Sequence, residues 1–318
     1  MPQSPRLLPT LLGLLLSCAA HAADPQYYPL TKGAAPQAVA MLDDGRLWYV
    51  AEGNGSLGRF DPQSGQDEQV SLGKGSVPRA VLAGPDGEAW IADSGLNALV
   101  RVDPDRLGSE VVPLPKEAAD AGLDSLVFDD DHDIWFTGAK GFYGRIDPAT
   151  RKLEVWATPG GKGAQGLAVT PDGQVWYASA DDDSINRIDP LGQAVTRFPL
   201  PEQGGRPQQL GADSIGRLWV SEAGSGRLGR FDPSDGKWKS WRLPGDHPQP
   251  GALYVDAMDR VWLSDLGGDA VLRFDPQSEK FTAYPSDQAE ARVSQLSGRP
   301  GEVWGTDAGS DRLLVIRE

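Results

Sequence analysis

The sequence predicts an all-β fold, a seven-bladed β-propeller of four-stranded blades, on three observations. A tryptophan recurs at a nearly constant interval, each copy in the same apolar frame. The 318 residues include 39 glycines and 26 prolines with no collagen-like period, which suits many short strands joined by tight turns. The last repeat also stops one strand early, and a segment of the missing kind stands near the N-terminus.

The tryptophans in register are Trp48, Trp90, Trp135, Trp176, Trp219, Trp262 and Trp304, spaced 42, 45, 41, 43, 43 and 42 residues apart. A period near 43 corresponds to one four-stranded blade. A large aromatic at one fixed place per blade belongs to the core between blades. Each unit opens on an apolar inner strand, such as residues 208–212, and a turn such as Pro85-Asp86-Gly87 or Pro171-Asp172-Gly173. The tryptophan strand follows, then a loop rich in Gly, Asn and Ser. A third strand ends in hydrophobic-Asp-Pro, from Phe60-Asp61-Pro62 to Phe274-Asp275-Pro276. Proline has no N–H to give a ladder, so it stops the strand, and aspartate accepts a local backbone bond that opens the turn. The fourth strand often closes in Leu-Pro, as at Leu200-Pro201 and Leu243-Pro244.

The seventh unit stops at Leu314-Val315-Ile316, before any fourth strand. Tyr27-Tyr28-Pro29-Leu30 matches the fourth strands elsewhere, so the N-terminal strand is expected to complete the last blade. Such closure removes two exposed sheet edges. Trp156, Trp238 and Trp241 fall outside the register. The last two stand on a fourth strand over 237–243, where they pack on the next blade or form a partner patch.

Residues 1–22 are set apart as a signal peptide, leaving residues 23–318 as the propeller. Arg6 supplies the positive start, residues 7–16 an apolar run too short to span a bilayer, and Ala20-His21-Ala22 a cleavage signature. The mature protein is expected in the periplasm or medium. Leu15-Leu16-Ser17-Cys18 loosely resembles a lipobox, so a lipoprotein anchored through Cys18 is the alternative. Cys18 is the only cysteine, so the mature chain has no disulfide, thiol nucleophile or thiolate metal site. No second apolar segment follows that would cross a membrane, and a monomer is expected. The net charge of −15 disfavours nucleic acid and anionic membranes as partners, and suits neutral or cationic ligands.

Propeller connectivity sorts the loops by face. Inner strands start, and tryptophan strands end, at one mouth of the central channel; the Pro-Asp-Gly and Asp-Pro turns lie on the opposite face, where their acids serve the turns. Two positions per blade are expected to face the axis at the first mouth. Eleven residues before each tryptophan stand Gln37, Arg79, Asp124, Gln165, Gln208, Gly251 and Val293. Three residues after it stand Ala51 (with Glu52 next), Asp93, Gly138, Ser179, Glu222, Asp265 and Asp307. Convergent polar groups at a propeller mouth form a binding-site candidate, or else line a water-filled channel. Asp307, Asp265 and Glu222 are the candidate ligands for a hard cation, Mg²⁺ or Ca²⁺. Crowded carboxylates also raise one another's pKa and create a general acid or base.

The repeat P-x-x-hydrophobic … D-G-x-hydrophobic-W-[FYVIL]-[ATS] … [IFV]-D-P resembles that of the virginiamycin B lyase (streptogramin lyase) family over essentially the whole mature chain. The resemblance implies Mg²⁺-dependent opening of a cyclic depsipeptide by elimination at its ester. It implies histidines at the start of the last two inner strands, a glutamate two residues before the second, and a glutamate three residues after the last tryptophan. Those positions hold Gly251, Val293, Ala291 and Asp307 here. Gly and Val cannot take a proton. Of the two histidines in the mature chain, His132 lies in the acidic turn 129–133. His247 lies in the loop entering blade six, at the correct mouth, and is the candidate displaced base, with Asp307 as its acidic partner.

Three functions follow. The first is a binding propeller that takes a small polar or cationic ligand, a peptide or a partner protein at the mouth. The second is a lyase of the family type with His247 as base. The third is a lactonase like the six-bladed gluconolactonase propellers, which need a Glu/Asn/Asp metal set.

Overall fold

The computed structural model describes residues 24–189, 191 and 194–318. The leader, Cys18 and the cleavage signature lie outside the described residues. Seven four-stranded antiparallel sheets follow one another in chain order. In six of them the strands pair in sequence order. The seventh reads Val293–Arg299, Glu302–Asp307, Arg312–Arg317 and then Gln26–Pro29. Tyr27 pairs with Leu314 and Tyr28 with Leu313. The ring therefore closes through the N-terminal strand as expected; Leu30 falls just beyond it and donates its N–H to the Asp311 carbonyl at 2.9 Å. Among the described residues no helix is long and apolar enough to cross a membrane.

All seven register tryptophans are buried, none more than 2% exposed. Their indole N–H groups point to the face carrying the Pro-Asp-Gly turns. Trp135 donates to Asp129 Oδ2 at 2.7 Å, Trp219 to Asp213 Oδ2 at 3.0 Å and Trp262 to Asp256 Oδ2 at 2.8 Å. These turn acids thus hold the core aromatics as well as shaping the turn. On the third strand, directly across the ladder, an arginine covers the indole face: Arg59 lies 5.5 Å from Trp48, Arg145 5.4 Å from Trp135 and Arg273 5.8 Å from Trp262. Trp241 stacks on Trp219 at 5.6 Å, and Trp238 packs on Phe231 at 4.9 Å. Both are half-buried extensions of the core.

The inner strands carry the site. Those of blades one, two, three, five, six and seven shift register near the mouth, for example between Pro207 and Leu210 and between Val293 and Gln295. A bulge of this kind frees backbone groups and re-aims side chains. Hydroxyls two residues after the tryptophan take up such a group in blades five and six and reach the next blade from blade three. Ser221 Oγ accepts the Gln209 N–H at 3.0 Å and Ser264 Oγ the Ala252 N–H at 2.9 Å, while Thr137 donates to the Gln165 carbonyl at 2.6 Å. Blade four has only the short strand Leu167–Val169. Just before it, the Gly166 N–H reaches across to the Gln208 carbonyl of blade five at 2.8 Å. A Cβ at Gly166 would come within 2.6 Å of that oxygen, so only glycine permits this approach.

Candidate functional site

Five of the inner-strand residues meet in one cavity. Gln37, Arg79, Asp124, Gln165 and Gln208, from blades one to five, line a throat of about 370 Å³ at the mouth where the inner strands begin. Two residues deeper along the strands, Val81, Leu126, Leu167, Leu210, Leu253 and Leu296 replace them. The throat is therefore polar at the rim and aliphatic below. Blades six and seven depart from the expected pattern. Val293 is turned into the core, 5% exposed, and the bulge beside it presents Ser294 and Gln295 instead. Gly251 contributes no side chain, and its neighbour Ala252 lines the wall. Gln209 and Gln295 went unforeseen because counting back from the tryptophan ignores a bulge.

The charges in the throat differ in partnership. Arg79 Nη1 binds Glu52 Oε2 at 2.7 Å, with both side chains about a third exposed. Asp124 accepts only a long 3.2 Å hydrogen bond from Ser125 Oγ. Burial pushes the Asp124 carboxyl above the usual carboxylate range, against the opposing pull of Arg79 and the Ser125 bond. Gln165 Oε1 is buried in the throat and finds no donor in the protein. Gln295 Oε1, by contrast, accepts the Val39 N–H at 2.6 Å.

Four carboxylates expected at the axis lie elsewhere: Asp93, Glu222, Asp265 and Asp307 do not line the throat. They are buried at the ends of the tryptophan strands, where backbone N–H groups occupy the three aspartates. Asp93 accepts from Ser76 Oγ at 2.5 Å and from the N–H groups of Val77, Gly95 and Leu96 at 2.9–3.0 Å. Asp265 accepts from Gln249 and Gly267, and Asp307 from Arg292 and Gly309. Each ties the loop entering its blade to the loop leaving the tryptophan strand. The glycine two residues on is obligatory, since a Cβ at Gly95 would lie 2.1 Å from the Gly75 carbonyl. Blades lacking this aspartate are stapled from the blade before. Asp311 of blade seven binds the Gly33 and Ala35 N–H groups, Asn97 of blade two binds Ala121, and Asp183 of blade four binds Gly204 and Arg206. In blade four, Asp181 accepts from Gly163 at 2.9 Å. Every entry loop thus has one side-chain staple.

That arrangement also separates the three carboxylates expected to share a cation. Oδ1 of Asp265 and Oδ1 of Asp307 each accept two backbone N–H groups, and Arg312 Nε donates to Asp307 Oδ2 at 2.9 Å. Glu222 accepts from Ser225 Oγ at 2.8 Å, and desolvation pushes its carboxyl above the usual range. The three stand on separate blades, and among the described residues no group of three or more His, Cys, Asp or Glu gathers where a cation could be held. Asp265, Asp307 and Glu222 therefore do not together fit Mg²⁺ or Ca²⁺.

The candidate base fares no better in position. His247 is exposed in the loop before Pro250–Val255 and does not line the throat. Its carbonyl packs on Gly267, where a Cβ would approach to 1.8 Å. His132 is exposed on the opposite face in a left-handed conformation, φ 65°. Ala291 and Val293 are buried core residues, and a Cβ at Gly251 would lie 2.9 Å from Ser264 Oγ.

Comparison with known proteins agrees with this architecture. A stretch of 59 residues is 42% identical to a virginiamycin B lyase of Bordetella parapertussis. It covers 18% of this chain and 19% of that protein, so the match spans about a fifth of the curated relative. The solved virginiamycin B lyase of Staphylococcus aureus superimposes with a TM-score of 0.85 at 19% identity, over 92% of this chain and 99% of that one. YCF48 bound to the D1 peptide superimposes with a TM-score of 0.74 at 15% identity, over 94% and 98% of the two chains. Residues 68–318 match the sequence profile of the virginiamycin B lyase family, and with that match across most of its length the chain belongs to this family.

Proposed function

We propose that the protein is a binding propeller that takes a small polar molecule in its throat and lacks the elimination chemistry its family's name describes. It works outside the cytoplasm, a reading that rests on the leader-like first 22 residues. The observation that carries the binding role is Gln165. A buried amide oxygen without a donor costs about 1–3 kcal/mol, and the residue that carries it lines a cavity large enough for a small ligand. Gln37, Gln208 and Gln209 add amides that both donate and accept. A throat of about 370 Å³ admits a small molecule or one end of a peptide, not a folded domain.

Against a lyase stand the residues themselves. Elimination needs a base within hydrogen-bond reach of the proton it removes. The family positions hold Gly251 and Val293, the remaining acid is committed to Arg312, and His247 lies outside the throat. A lactonase would need a held metal that these carboxylates are not arranged to bind.

A thermal-shift screen of polar metabolites and short peptides tests the binding role, using wild type and a Gln165→Leu/Gln208→Leu variant. A ligand at a hundred times its Kd stabilises by about 2.7 kcal/mol, a shift of several degrees. The proposal expects at least one such shift, lost in the variant. A screen without hits, or hits that survive in the variant, would refute it.

A further inference from the structure

Within the throat, the hydrogen-bonding needs of the wall are not evenly distributed. On adjacent blades three and four, two throat-lining residues are under-bonded: Asp124 accepts one long bond, and the buried Gln165 Oε1 accepts none. Elsewhere on the wall, Gln295 Oε1 is already satisfied by the Val39 N–H, and Arg79 is neutralised by Glu52. The unmet demand is for donors, and it is concentrated beside the one carboxylate in the cavity. We infer that the throat ligand carries a primary ammonium group, seated against Asp124 and Gln165.

The chemistry suits that group. An ammonium offers three donors and no acceptor, enough to serve both Asp124 and Gln165. Its charge pairs with a carboxylate that has no cation bound to it in the protein, in a site where water screens poorly. Desolvation alone leaves Asp124 reluctant to ionise, and an incoming cation restores the charged form. The net charge of −15 draws cations toward the protein. Gln37, Gln208 and Ser294 remain to bind hydroxyl or amide groups on the rest of the molecule. The ligand class is a small amine bearing further polar groups, such as an amino sugar, an amino alcohol or a free amino acid.

This inference rests on the throat being the binding site, and the test separates the two. Glucosamine, L-serine and putrescine are titrated calorimetrically, each against its fully N-acetylated counterpart (the diacetyl form for putrescine), with glucose as the uncharged reference. At least one free amine is expected to bind ten-fold or more tighter than its acetylated form, and Asp124→Asn to remove that preference. The wild-type ratio of amine to acetylated form stands even where the variant is poorly folded. Acetylated or neutral compounds binding as tightly as the amines would overturn the inference and leave the throat reading intact. No binding by any amine, or an amine preference unchanged in Asp124→Asn, would also overturn it. Failure of the throat itself would show instead as hits unaffected by Gln165→Leu/Gln208→Leu.

Discussion

The guanidinium of Arg312 sits 3.6 Å above the ring of Tyr27, joining the third strand of blade seven to the N-terminal strand that closes the ring. The same side chain donates to Asp307 Oδ2 at 2.9 Å and to Ser286 Oγ at 3.0 Å, and pairs with Asp287 at 2.6 Å. Arg312 and Asp307 are both nearly inaccessible, 5% and 0% exposed. Removing one partner of a buried pair leaves the other charge uncompensated, at about 3–5 kcal/mol. Arg312→Ala is therefore expected to lower the Tm by roughly 5–8 °C. Calorimetry checks this, and Tyr27→Ala should show a smaller loss of the same kind.

Asp93 makes a sharp contrast with the exposed turn acids. It is fully buried and holds four donors in the loop entering blade two. Hydrogen bonds to a charged group contribute about 1.5–3 kcal/mol each, and the orphaned N–H groups add a penalty. Asp93→Ala is expected to cost about 3 kcal/mol or more in urea unfolding. Asp86→Ala, in the exposed turn of the same blade, should stay within about 0.5 kcal/mol.

Glu222 supplies a pH signature. Burial raises its carboxyl pKa in the folded state, with Glu202 and Asp183 adding to the rise. The folded protein thus holds the proton more tightly than the unfolded chain. The group's favourable contribution is complete below the unfolded carboxylate pKa, and it is lost as pH climbs through the raised folded value. Glu222→Gln removes that loss. Tm measured at pH 7.5 should be higher for the variant than for wild type, while at pH 4 the two should nearly coincide.

The proposed lack of elimination chemistry predicts a clean biochemical outcome. A streptogramin B antibiotic incubated with the purified protein and Mg²⁺ should remain cyclic. Ring opening by elimination leaves the mass unchanged, so reversed-phase retention and fragmentation pattern are the readouts. A linear product that disappears with His247→Ala would restore the lyase reading.

The fold was legible because one large residue must be buried once per blade, and that need repeats in the sequence at Trp48 through Trp304. The closing strand was legible for a similar reason, since Tyr27 and Tyr28 copy the fourth strands of other blades. The arginines over the tryptophans went unread although a signal existed: Arg59, Arg145, Arg187, Arg230 and Arg273 all precede the hydrophobic-Asp-Pro step by one residue, while Trp90 is covered by Arg151 instead. The inner-strand ring came through in five blades and failed in two: Gly251 of blade six has no side chain, and blade seven is one residue shorter before its tryptophan, so that Val293 takes the place of Pro36 and Ser294 that of Gln37. The carboxylates after the tryptophan were misplaced for a physical reason. The strand ends there, and a buried aspartate beside an Asp-x-Gly step serves unpaired backbone N–H groups first. The glycines at 95, 267 and 309 were the sign of that role.

The most direct test of the throat as the working surface is a crystal structure of residues 24–318 soaked with the tightest compound from the screens. Density is expected inside the cavity, within hydrogen-bond distance of Gln165 and bounded by Gln37, Arg79, Asp124 and Gln208. Density confined to the opposite face or to the outer rim, with the throat side chains unmoved, would contradict the account.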